Sequence, residues 1–191
     1  TQNVLISTFV RPTSQATRRA VIAKAAGSLD TFLKDYGEDG GCDEGPLYYR
    51  HAALCLYGAL NVMDAVSPGT FGHLWQSPKL RNMAEYILNT HVAGSFYVNF
   101  ADASAVLDPC GAREFGFGQK VGSQALCAFA AEDARNARDA VVYDTTDSIS
   151  LFNRLLGLVS AGDMASYEAK PTTPPDMHYP STGLFIARDG H

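Results

Sequence analysis

Apolar positions recur at helical spacing over most of the chain. Between residues 13 and 36, Ile22, Ala25, Ala26, Leu29, Phe32, Leu33 and Tyr36 fall on one stripe, with Arg18, Arg19, Lys24, Asp30 and Lys34 between them. A stripe of that period predicts an amphipathic helix. Thr13 or Ser14 supplies its N-cap oxygen, and Gly37 is placed to end it in the left-handed conformation that a Cβ disfavours. A shorter pattern, Val4-Leu5-Ile6 and Phe9-Val10, is already running at the first residues.

The stretch 46–66 differs in character. Tyr49, Ala53, Leu56, Leu60 and Met63 make one apolar stripe, and Tyr48, Ala52, Cys55, Ala59 and Val62 make another beside it. A helix apolar round so much of its girth packs among other helices, and Pro46 suits its first turn. Further helices are predicted from Ser77-Pro78 through His91, from Asp108-Pro109, over 119–131, and after an Asp147 cap through Ile149, Phe152, Leu155, Leu156 and Val159. Connections are short to medium apart from an irregular stretch at 92–107. Helices in such succession predict an all-α array of helical hairpins.

After Val159 the period is lost. Lys170-Pro171-Thr172-Thr173-Pro174-Pro175 and Pro180 predict an extended segment, because proline cannot continue a helix. It leads into a strand at 183–188 and a favoured turn, Asp189-Gly190, with no partner strand after it. The chain thus divides into a helical domain over 1–168 and a proline-rich linker with a first strand over 169–191.

Composition narrows the class. With 46% hydrophobic and 18% charged residues among 191, disorder is excluded. No apolar run approaches the roughly 20 residues of a membrane span. A net charge of −5 without clustered Lys or Arg excludes nucleic acid as the main partner. The methionines are at 63, 83, 164 and 177 and the chain opens Thr1-Gln2-Asn3 without a targeting pattern, so both ends read as cut from a larger protein. Cys42, Cys55, Cys110 and Cys127 form no CxxC pair. They read as free buried thiols in a reducing, cytoplasmic compartment; a signal peptide upstream of Thr1 would make the protein periplasmic or secreted. His51 and Cys55 are four apart on a helix, and one such pair is not a metal site. No metal and no cofactor are expected.

Chemistry is densest at Asp39-Gly40-Gly41-Cys42-Asp43-Glu44-Gly45-Pro46-Leu47-Tyr48-Tyr49-Arg50-His51. A flexible acidic loop delivers two tyrosines, an arginine and a histidine into the first turn and a half of a helix. Tyr48 and His51, three apart, share a face. The helix dipole favours a phenolate at this end by about 0.3–1 kcal/mol, too little alone to bring a pKa of about 10 to neutrality, so a cationic or substrate-borne partner is required.

The stretch DGGCDEGPLYY with its long apolar helix resembles the toroid domain of the heparinase II/III-like polysaccharide lyases, including the oligo-alginate lyase branch. VNFADAS at 98–104 and GLFIARDG at 183–190 extend the resemblance along the chain. It implies an (α/α) toroid of helical hairpins followed by the start of a β-sandwich domain. It also implies β-elimination on an acidic polysaccharide or oligosaccharide, in which an Asn or His neutralises the uronate carboxylate and a tyrosine moves the C5 proton to the departing oxygen. Carried onto this sequence, the tyrosine after Glu-Gly-Pro is Tyr48, the catalytic base and acid. Glu44, Arg50 and His51 are the substrate-binding candidates. The neutralising Asn or His falls in a segment ending just before Thr1, so the 191 residues alone are expected to be inactive.

Plainer roles compete. Tyr49, on the Ala53-Leu56-Leu60 stripe, reads as core. Glu44 can serve the helix N-terminus and Asp102 can cap a turn. Arg113 and Glu114 read as a solvated surface pair. His73, His91 and His178 have no matching partners, and Lys79, Arg81 and Lys120 read as helix-surface charges. The competing functions are an α/α-barrel glycoside hydrolase pairing Asp43 or Glu44 with Asp102, and a non-catalytic glycan-binding scaffold.

Overall fold

A computed structural model describes residues 1–136 and 151–189. The described chain is mostly helical: α1 (Gln2–Val10), α2 (Gln15–Asp35), α3 (Tyr49–Val66), a 3-10 turn (Gly72–Gln76), α4 (Pro78–Thr90), α5 (Ala112–Val121), α6 (Gln124–Asn136) and α7 (Leu151–Ala165). Two short antiparallel hairpins interrupt and close it, β1 (His91–Ala93) with β2 (Phe96–Tyr97) and β3 (Asp176–Tyr179) with β4 (Leu184–Ala187). Asp147 and Ile149 of the last predicted helix, and Gly190 of the predicted terminal turn, lie outside the described residues.

The helix over 13–36 forms as its stripe predicts, and of the two candidate caps Ser14 is used: its Oγ accepts the Thr17 N–H at 3.1 Å. Its C-terminus departs from expectation. The chain leaves through Tyr36 in extended conformation, and Gly37 serves close approach instead, since a Cβ there would meet the Ser181 side chain at 2.5 Å.

α3 is the hub. Its predicted stripe of Tyr49, Ala53, Leu56, Leu60 and Met63 is buried throughout. Tyr57 on the same helix stacks on Phe117 at 5.1 Å and meets Trp75 edge-on at 6.1 Å, joining α3, α5 and the 3-10 turn. The helix starts three residues after Pro46, because the Tyr48 and Tyr49 N–H groups first close a turn onto the Gly45 carbonyl. Where one helix is predicted at Asp108 and another over 119–131, the helices are α5 and α6, divided at Gly122 and Ser123. Gly122 ends α5 at φ +70°, and Ser123 Oγ accepts from Leu126 N–H to start α6. The stretch 92–107 contains β2 and most of β1 rather than only irregular chain.

α7 turns to α5 a face of Asn153, Gly157, Ser160 and Met164. The predicted apolar stripe coincides with the buried face only in part: Leu156 packs against the core, whereas Leu155 is 52% and Val159 82% exposed. Small side chains let the two backbones approach, which bulky ones would prevent.

The predicted strand at 183–188 is present as β4, but it has a partner. β3 lies in the segment read as extended linker, with Tyr179 opposite Leu184 and Met177 opposite Ile186. This hairpin is packed on the helices. Tyr179 is fully buried and meets Tyr86 of α4 edge-on at 5.1 Å, while Arg188 donates to the Asn89 and His91 carbonyls.

Candidate functional site

The acidic loop between α2 and α3 is held in place rather than flexible. Asp39 Oδ1 accepts from Gly41 N–H at 2.9 Å and Ser181 Oγ–H at 2.7 Å, and its Oδ2 accepts from Ser181 N–H at 2.8 Å. Partial burial works to raise the Asp39 carboxyl, but the bonds from Ser181 and Gly41 outweigh it and hold the group below its usual range. From α4, Asn82 donates to the Glu38 carbonyl at 2.9 Å, Lys79 pairs with Glu38 at 3.0 Å, and Tyr86 O–H reaches the Cys42 carbonyl at 3.4 Å. Gly45, at φ +89°, faces the Phe100 carbonyl and the Ala103 side chain where a Cβ would sit.

That loop leads directly to Tyr48. The residue is the N-cap of α3 and half-buried, and its ring lies 5.8 Å from that of His51, tilted by 51°. His51, Glu44 and Asp43 are exposed. Two adjoining hollows flank them. One, of about 370 Å³, is walled by Asp35, Tyr36, Cys42, Asp43 and Glu44. The other, of about 210 Å³, is lined by Ser28, His51 and Cys55, and the two share Phe32 and Ala52. Burial raises the hydroxyls of the neighbouring Tyr36, Tyr49 and Tyr86, which closes proton acceptance to them. Tyr49 is a core residue as expected, donating to the Ala84 carbonyl at 3.1 Å.

Arg50 is not with the others. It is 3% exposed, pairs with Glu114 Oε1 at 3.4 Å and donates to the Asp108 and Pro109 carbonyls. A guanidinium so engaged joins α3 to the start of α5 and is not presented to a substrate. The expected surface pair Arg113 and Glu114 is likewise buried, at 4% and 1% exposure, because Glu114 closes the first turn of α5 by accepting from Gly111 N–H at 3.0 Å. Asp102 is exposed, beside Ala103. Lys79 is anchored on Glu38 rather than free, and Lys120 bridges to Asp64 at 3.2 Å over the Trp75 ring. His73 and His178 are exposed, whereas His91 sits half-buried against Tyr97 and Phe129.

Ser181 is a site-supporting residue that the sequence does not announce, being 142 positions from Asp39. All four cysteines are free thiols, with only Cys55 outside the buried set. Among the described residues no helix is long and apolar enough to cross a membrane, and no cluster of three His, Cys, Asp or Glu side chains has metal-binding geometry. Compared with the known protein families and with curated proteins, the sequence matches none.

Proposed function

We propose that this chain carries the catalytic tyrosine of a carbon–oxygen lyase that cleaves uronate-containing glycans, its helices forming part of an (α/α) toroid. One observation carries the reading. The three stretches on which the family resemblance rests converge: Gly45 of the acidic loop lies against Phe100 and Ala103, and Asp39 of the same loop is bonded to Ser181, two residues before the third stretch. Nothing in helical packing alone requires these distant segments to meet beside a half-exposed tyrosine.

In this reading the Tyr48 hydroxyl, deprotonated, takes the C5 proton of the uronate. The C5–H electron pair forms the C4–C5 double bond, the C4–O bond breaks, and Tyr48 returns the proton to the departing oxygen, so no water is consumed. The N–H groups of Tyr48, Tyr49 and His51 bond backbone carbonyls and are not offered to the uronate carboxylate. A neutralised uronate carboxylate must acidify C5, and the resemblance puts the neutralising Asn or His ahead of Thr1. Glu44 and His51 contact sugar. The uronate carboxylate is better placed over His51 than over the hollow walled by Asp35, Asp43 and Glu44.

The test incubates the protein in its natural full length with alginate, heparan-type and hyaluronan-type polymers. Elimination leaves a conjugated unsaturated uronate that absorbs in the ultraviolet. Tyr48→Phe is expected to abolish that product while leaving glycan binding and thermal stability unchanged; unchanged turnover would refute the assignment. The acidic hollow beside Glu44 favours a second reading, hydrolysis of a neutral glycan by Glu44 and Asp102, which gives new reducing ends without the absorbing product.

A further inference from the structure

A separate cavity of about 250 Å³ opens between the β1–β2 hairpin and α6. It involves none of Tyr48, Glu44 or His51. One wall is aromatic: the His91 ring lies between those of Tyr97 and Phe129, at 5.1 and 4.9 Å. The other wall is polar. Glu132, Asp133 and Asn136 line it together with Phe129, and the spacing 129, 132, 133, 136 sets all four on one face of α6. The volume lies below the roughly 300–1,000 Å³ of pockets for drug-sized ligands and suits a small molecule.

The polar groups of this wall are mainly acceptors. His91 Nε2 donates to the Gly94 carbonyl at 2.9 Å, since a carbonyl only accepts. Asp133 takes the Cys110 N–H on Oδ2 at 2.6 Å, which leaves Oδ1. Burial raises the Asp133 carboxyl against the opposing effects of the Cys110 N–H, His91 and Arg50. A carboxylate short of water in this way gains from a cation brought to it. No Lys or Arg among the described residues lines the cavity. Among the described arginines, Arg50 acts on Asp133 from a distance while pairing with Glu114 and donating to the Asp108 and Pro109 carbonyls, Arg135 donates to Met164 and Tyr167, and Arg188 to Pro174, Asn89 and His91.

We propose that this cavity is a binding site for a small organic ammonium ion, its N–H donors shared by Asp133 and Glu132 and its apolar stem laid on the Phe129 ring. Two carboxylates meet the charge, and an aromatic face suits both the cation and its stem. A carboxylate or phosphate ligand is repelled by both carboxylates, and a neutral ligand brings no charge to meet them.

The experiment titrates the whole chain with n-butylammonium chloride, following calorimetry and the aromatic NMR signals of Phe129 and Tyr97, with butan-1-ol as the uncharged probe of equal length. Saturable binding of butylammonium with shifts at Phe129 is expected, and butan-1-ol should bind at least about 10-fold more weakly. Asp133→Asn keeps an oxygen for the Cys110 N–H, so the fold is retained, and should weaken butylammonium about 10-fold; Glu132→Gln should weaken it by a smaller factor. Equal binding of alcohol and ammonium, wild-type affinity in both variants, a stronger response to Mg²⁺ or Ca²⁺ than to butylammonium, or no saturation by about 50 mM would each overturn the proposal.

Discussion

The Arg50 side chain shows how a polar residue two positions from the proposed catalytic tyrosine can be enclosed in the packing between helices. Its Nε faces Glu114 at 3.4 Å while one terminal nitrogen holds the Asp108 and Pro109 carbonyls, all with 3% of the residue exposed. Burying two charges costs about as much as their attraction returns, but removing one leaves the other uncompensated. Arg50→Ala is therefore expected to destabilise by about 3–5 kcal/mol, measured as a lowered urea midpoint. Arg50→Met combined with Glu114→Gln should recover part of that loss, since the carboxylate that the single variant strands is gone. A single variant as stable as wild type would show that the pair is solvated after all. The contrast with Tyr48, two residues before it and half-buried, and His51, one residue after it and exposed, is a matter of helical phase.

At the scale of elements, the acidic loop is fixed by where its glycines meet other chain. Gly45 combines φ +89° with the Phe100 carbonyl standing where a Cβ would project, whereas Gly69 has φ +79° and open space. Gly69→Ala should therefore carry only the conformational cost, about 1–2 kcal/mol. Gly45→Ala adds the displacement of the 98–104 stretch and should exceed it clearly in thermal denaturation. Under the proposed lyase function it should also reduce glycan turnover, because the loop leads directly to Tyr48. Equal losses at the two positions would mean that the contact between the loops yields without cost.

Across the whole molecule, the C-terminal hairpin is fastened to the helices by Asp39 with Ser181, by Arg188 on the Asn89 and His91 carbonyls and by Tyr179 against Tyr86. The Asp39 carboxyl is held below its unperturbed value of 3.8 in the folded chain. Its contribution is thus complete above that value and is lost as pH falls through the lower, folded one. Protection factors of the β3 and β4 amides, corrected for the intrinsic pH dependence of exchange, should fall at acid pH in wild type and be low already at neutral pH in Asp39→Ala; protection that ignores both changes would place the fastening elsewhere. The mostly helical character, the α2 and α3 stripes, a cap at Thr13 or Ser14 and the position of β4 were legible in the sequence, because each depends on nearby residues. So was the density of chemistry from Asp39 to His51. The burial of Arg50 and Glu114, the outward face of α7, the partner of β4 and the meeting of Asp39 with Ser181 were not. Nor was the grouping of His91 with Asp133 and Phe129. Local spacing determines which element forms and which side is apolar; which polar residue is enclosed, and what faces it, depends on contacts between residues 23 to 142 positions apart, and only the packed tertiary structure decides those.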